Sequence, residues 1–139
     1  MNPSIIQLLQ ELRSACFESD LALIEKLTIS QSEMHFFIAS IELEHLHTAT
    51  MAEKMKISPS RISRIIEKMV QNKLIKRSAD KTDRRAINIE FTSKGMQYLN
   101  EIENHLNSCE TKIKENLNSD KIETLKDNLS FLIESMKKQ

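Results

Sequence analysis

Apolar residues recur along most of this chain at spacings of three and four, the stripe of an amphipathic helix. Behind Pro3 and Ser4, the residues Ile5, Leu8, Leu9 and Leu12 set up one stripe, and Phe17, Leu21, Ile24 and Leu27 carry it on more weakly. Thr28-Ile29-Ser30 breaks the pattern. Ser30 with Glu33 three positions on is a capping box, so a second helix is expected there, with Met34, Phe37, Ile38 and Ile41 on one side. A long stripe follows Thr92 and Ser93, running through Leu99, Ile102, Leu106, Cys109, Ile113 and Leu117. Asn118-Ser119-Asp120 interrupts it. Asp120 and Glu123 offer another capping box, and Ile122, Leu125, Leu129, Leu132 and Met136 form a last stripe.

The middle of the chain changes period. His45 to Thr48 reads as a short extended piece, and Thr50 is expected to cap a short helix that turns Met51, Ala52 and Met55 inward. After a turn at Lys56-Ile57, Ser58 is an N-cap with Pro59 at the first helical position, where its missing N–H costs nothing. The helix that follows buries Ile62, Ile65, Ile66, Met69 and Val70 and leaves Ser60, Arg61, Ser63 and Arg64 outside, followed by Lys68. Residues 74–77 and 86–91 then alternate apolar and polar like paired strands. Between them, residues 78–85 form a charged loop containing Lys81, Asp83, Arg84 and Arg85.

Two helices followed by a basic hairpin make a winged helix-turn-helix. The fold class expected is mainly α (α+β). One domain spans 1–139, with 31–95 as the winged helix-turn-helix lobe and 1–30 with 96–139 as helical dimerisation regions. The terminal stripes are too elongated for the central lobe to bury, and exposed seams of that kind mark a partner, here a second helix.

Charge sharpens the picture. The formal net charge is zero, which by itself speaks against a polyanion partner. Its distribution does not: residues 1–45 sum to −5, residues 46–95 to +7 and residues 96–139 to −2. A positive middle between acidic ends means a positive face opposite a negative one, which suits a polyanion. Two Arg and two Ser on the first turns of a helix suit the major groove, where Arg pairs bidentately with guanine and Ser reaches bases or phosphates. An Arg on a wing suits a narrow minor groove. Phosphate contacts fall to Lys56, Lys68, Lys76, Arg77, Lys81 and Arg84.

The run SPSRISRIIEKMVQNKLIKRSADKTDRRAINIEFTSKG resembles the MarR family of transcription regulators, and the order of helices on either side agrees with it. Its most specific piece is Asp83-Arg84-Arg85 followed by a strand and Thr92-Ser93-Lys94-Gly95. The resemblance implies that Asp83 orients Arg85 into the minor groove. It also implies a homodimeric repressor on a pseudo-palindromic operator, often with a small effector between the dimerisation and DNA-binding lobes. Where the family commonly has Gly after the recognition helix, this chain has Asn72-Lys73, and Asn72 is expected to supply the left-handed cap.

Candidates for regulation are sparser. Cys16, Phe17, Met34, Phe37 and Ile38 are the expected lining of an effector pocket. Cys16 also invites a redox-sensing reading, although the only Tyr is Tyr98 and the peroxide-sensing branch of the family uses Tyr partners. His45 and His47 lie near Glu42 and Glu44 in sequence, a spacing too loose to specify a metal, and no cofactor or metal is expected. No phosphate loop, nucleophile motif or HExxH occurs, so no enzyme is expected. Cys16 and Cys109 sit in no CxxC arrangement. Neither a signal peptide nor a run near ~18 apolar residues is present, so a cytoplasmic, non-membrane setting is expected. The other reading left open is a winged-helix protein-interaction module that does not bind DNA.

Overall fold

A computed structural model describes residues 2–82 and 87–138. Among these, the order is α1 (Ile5–Leu27), α2 (Gln31–Ile41), β1 (Leu46–His47), α3 (Thr48–Met55), α4 (Pro59–Gln71), β2 (Ile75–Ala79), β3 (Ile87–Phe91), α5 (Ser93–Glu115) and α6 (Ser119–Lys137). The chain divides into two compact units, Met1–Glu103 and Asn104–Gln139. It is mainly helical with one small antiparallel sheet of order β1-β3-β2, the winged helix-turn-helix expected.

The helix starts follow from the side chains at their ends. Ser4 caps α1 and exchanges bonds with Gln7, and Ser30 does the same for α2 with Glu33. Ser58 caps α4 by accepting from the Arg61 N–H at 3.2 Å, with Pro59 behind it. Thr92 Oγ1 accepts from the Gly95 N–H at 3.0 Å at the start of α5. Two expected starts move. Helix α3 begins at Thr48, so Thr50 lies inside it and bonds back to the His47 backbone at 3.1 and 2.9 Å. Helix α6 is capped by Asn118, whose Oδ1 accepts from Lys121 N–H at 2.9 Å, so Asp120 falls in the first turn instead of at the cap.

Three helices stop in one way. Thr28, Lys56 and Lys73 carry φ of 55°, 56° and 61°. Each is followed by an apolar residue whose N–H bonds back into the helix: Ile29 to Ile24 O, Ile57 to Ala52 O, Leu74 to Met69 O. These are Schellman closures built without glycine. After α4 the left-handed residue is Lys73, and Asn72 is right-handed with φ −82°, which corrects the expectation for that turn. The reason is packing. Leu74 is 1% exposed and Met69 0%, and the Leu74 N–H bond to Met69 O holds both in the core.

The core of the first unit is organised around α2. Met34, Phe36 and Phe37 are wholly buried, with Met51 of α3, Ile62, Ile66 and Met69 of α4, Leu74, Ile75, Ile89 and Ile102 around them. Phe37 stacks on Phe91 at 5.4 Å, Phe36 meets the same ring edge-on at 6.5 Å, and Tyr98 tilts against Phe37 at 6.4 Å. Burying side chains of this size contributes roughly 1.5–3 kcal/mol each. Phe36 lay off the expected stripe because α2 is covered on more than one side.

The chain's single glycine is where α5 meets the end of α4. A Cβ on Gly95 would stand 2.0 Å from the Leu74 carbonyl oxygen. That oxygen already accepts from the Thr92 N–H at 3.0 Å and the Thr92 hydroxyl at 3.2 Å. The junction joins the closure of α4, the root of β2 and the start of α5 in one close contact.

In contrast, apolar residues stay exposed on α1 (Ile5, Ile6, Leu8, Leu12) and, in the second unit, on α5 and α6 (Ile113, Leu125, Leu129, Phe131, Ile133, Met136). No residue of α6 is buried. Among the described residues no helix is long and apolar enough to cross a membrane.

Candidate nucleic-acid interface

Helix α4 buries Ile62, Ile66 and Met69 and half-buries Ile65 and Val70, so its opposite side faces out by construction. Ser60, Arg61, Ser63, Arg64 and Lys68 are all exposed. Ser60, Arg64 and Lys68 lie one turn apart on the outward row, while Arg61 and Ser63 stand on its two flanks. Ser60 Oγ lies 3.2 Å from the capping Ser58 Oγ, which places both hydroxyls at the helix start. Glu67 and Gln71 are exposed on the same side and were not among the sequence candidates. The 3.6-residue period of α4 identifies them, but an acidic side chain did not look like part of a basic face.

Not every cation here points the same way. Lys68 Nζ lies 3.6 Å from Oε1 of Glu33, which is 1% exposed. Lys54 is paired with Glu42. Lys56 is exposed at the left-handed turn between α3 and α4.

The hairpin pairs Ile75 with Phe91, Lys76 with Glu90, Arg77 with Ile89, Ser78 with Asn88 and Ala79 with Ile87. Strand β2 therefore runs two residues further than expected. Lys76 and Arg77, grouped in the sequence reading, project from opposite faces of the pleat, and both are exposed. At the strand's end Asp80 accepts from the Thr82 N–H at 3.4 Å and lies 4.0 Å from His47 Nε2, tying the root of the wing to β1. Lys81 is exposed. Asp83, Arg84 and Arg85 lie outside the described residues.

The five expected effector-lining residues do not share one cavity. Met34 and Phe37 are core, with no exposed surface. Cys16 and Phe17 are exposed and line a cleft of about 320 Å³ with Arg13, Asp20, His35 and Arg61. Ile38 lines another of about 260 Å³ between α2, α3 and α4. A larger cavity, about 710 Å³, lies elsewhere in the first unit, between the end of α2, the sheet and α5. His45 and His47 line it with Glu44, Asp80, Glu90 and Glu103, beside Ile41, Leu43, Met96 and Leu99. Its missing signal is topological: these residues come from four separate stretches of the chain. His35 is apart from that group, and His105 lies beside Cys109 in the second unit. Among the described residues no three His, Cys, Asp or Glu converge as a metal site.

Residues 42–87, which hold β1, α3, α4 and β2, match the model of the MarR family. Over that third of its length the chain is similar to the MarR family. No curated protein sequence matches it. Solved structures extend the likeness of fold to nearly its whole length. S. aureus MepR in complex with DNA aligns with a TM-score of 0.84 at 18% identity, over 96% of this chain and 99% of that one. A MarR regulator from Methanosarcina mazei Go1 gives 0.79 at 17%, covering 96% of each. NadR in complex with 4-hydroxyphenylacetate gives 0.76 at 21%, over 94% and 93%. The MarR match spans residues 42–87, so helices α1, α2, α5 and α6 resemble these proteins in fold alone.

Proposed function

We propose that the protein is a sequence-specific DNA-binding transcriptional regulator, a homodimer that represses from a pseudo-palindromic operator and is released by a small-molecule effector. One observation carries the reading. The exposed first turns of α4 present Ser60, Arg61, Ser63 and Arg64 from an apolar underside, in a segment, residues 42–87, of net charge +5 that matches the MarR family. Arg61 and Arg64 read the major groove, and Ser60 and Ser63 assist. Lys56, Lys76, Arg77, Lys81 and Arg84 contact phosphates, and Asp83 aims Arg85 into the minor groove.

The apolar surface left on α1 and α6 supports pairing of two chains through these helices, whose spacing then sets the two half-sites one helical turn apart. The likeness to MepR bound to DNA and to NadR bound to 4-hydroxyphenylacetate supports both halves of the reading, DNA and effector.

Titration of the purified protein on DNA from upstream of its own gene, at 50 and 200 mM salt, tests it. Counterion release at six to ten phosphates lowers affinity by about 10³–10⁵ over that range. Replacing Arg61 and Arg64 together by Ala should weaken binding at least tenfold and leave the fold intact. Binding that ignores salt, or that survives the double replacement, would overturn the proposal in favour of a protein-interaction module.

A further inference from the structure

Glu33 is the one acidic side chain among the buried residues described, and it is more than a cap. Its Oε1 accepts from the Ser30 N–H at 3.0 Å, its own N–H donates to Ser30 Oγ at 3.1 Å, and its Oε2 is buried with no hydrogen-bond partner. Over it lies the Lys68 ammonium, 3.6 Å from Oε1, on a side chain that is itself 60% exposed. Ser30 directly follows the left-handed Thr28 turn that ends α1. One carboxylate therefore joins the end of α1, the start of α2 and the third turn of α4.

We propose that Lys68 is the tie between the recognition helix and Glu33, not a phosphate contact, and that the pair sets the rotation of α4 beneath its DNA-facing side chains. This rests on the DNA-binding reading above. A pair between two exposed groups does little. A buried carboxylate whose cation is removed is strongly unfavourable, so the tie holds through Glu33's burial. Lys68 stands two turns beyond Arg61 on the same rigid helix. At a side-chain radius of about 5–6 Å, turning α4 by ~20° displaces the Arg tips by ~2 Å, more than a hydrogen bond tolerates.

The test is a double-variant cycle in the full-length protein: Glu33→Gln, Lys68→Met and the two combined. Gln keeps an oxygen for the Ser30 N–H, so it removes charge without removing the cap. Thermal unfolding and DNA titration at two salt concentrations are read for each. Lys68→Met should lower the melting temperature and weaken DNA binding on the order of tenfold, with the salt slope unchanged. The combined variant should recover stability and bring affinity to within about threefold of the starting protein. A Lys68→Met slope reduced by about one per protomer, with no recovery in the combined variant, would show a phosphate contact and overturn the proposal. If the starting protein binds no DNA, the DNA-binding reading fails on its own. Recovery of stability in the combined variant would still establish the tie, and its absence would refute it.

Discussion

Gly95→Ala is the sharpest perturbation this fold offers, because two principles disagree about its sign. Helix propensity alone makes Ala better than Gly by about 1 kcal/mol in a helix interior. The contact at Gly95 says otherwise. An added Cβ would meet Leu74 O at 2.0 Å, Leu74 C at 3.1 Å and Phe91 Cδ1 at 3.1 Å. A carbon approaches a carbonyl oxygen no closer than ~3.3 Å in ordinary packing, so the carbonyl or α5 must retreat by more than ~1 Å. The obstacle is backbone, pinned by the two Thr92 bonds to Leu74 O and by the Leu74 N–H bond to Met69 O at 2.9 Å. Retreat disrupts bonds worth about 0.5–1.5 kcal/mol each and strains a packed junction by about 1–3 kcal/mol. After the propensity gain, a net loss of about 2–4 kcal/mol is expected. At about 4 °C per kcal/mol for a chain of this size, melting should fall by roughly 8–16 °C at fixed protein concentration. Urea unfolding followed by circular dichroism measures it. A variant as stable as the starting protein would mean that α5 does not lie against the α4–β2 turn as described.

Three further outcomes follow from other parts of the chain. Lys73→Gly should stabilise by about 0.5–1 kcal/mol, since glycine adopts the left-handed φ of 61° without the Cβ cost, and urea midpoints check it. Leu8→Glu with Leu12→Glu, both half-exposed on α1, should convert a dimer to a monomer by light scattering at micromolar concentration while helix content is retained. Arg85→Ala should weaken operator binding tenfold or more, a contact of about 1–3 kcal/mol, with the oligomeric state unchanged; normal binding would remove the minor-groove role from this wing.

Much of the fold was legible because local chemistry and burial agree. Ser30 with Glu33, Ser58 with Pro59, and the Ile62-Ile66-Met69 stripe each specify a start or a face without help from afar. Where several residues suit one task, the sequence leaves the choice open. Asn118, Ser119 and Asp120 are all competent caps, and Asn118 is used. Asn72 tolerates left-handed backbone better than Lys73, yet Lys73 adopts it, because the burial of Leu74 sets the register. The expected effector lining failed to converge for a similar reason. A stripe reports which side of α2 is apolar, and Met34 and Phe37 spend that side on the core. The 710 Å³ cavity is assembled from segments up to 63 residues apart, from Ser40 to Glu103, and no local pattern announces it.

The same distinction decides how much of the basic segment can meet DNA. Residues 46–95 hold twelve Lys and Arg, and a count of charge alone would assign all of them to phosphates. Among the described residues, three are already engaged within the fold. Lys54 is paired with Glu42, Lys68 lies over Glu33, and Lys94 Nζ donates to the Asn72 carbonyl at 3.1 Å. Both carboxylate partners come from the acidic first third of the chain. Part of the charge separation that marks this protein is thus internal, holding the helix-turn-helix on its scaffold. The salt slope, read as about 0.9 per phosphate neutralised, should therefore respond to Arg64→Ala and be indifferent to Lys54→Met. A slope that fell equally for both would mean that surface charge, and not the outward row of α4, carries the binding.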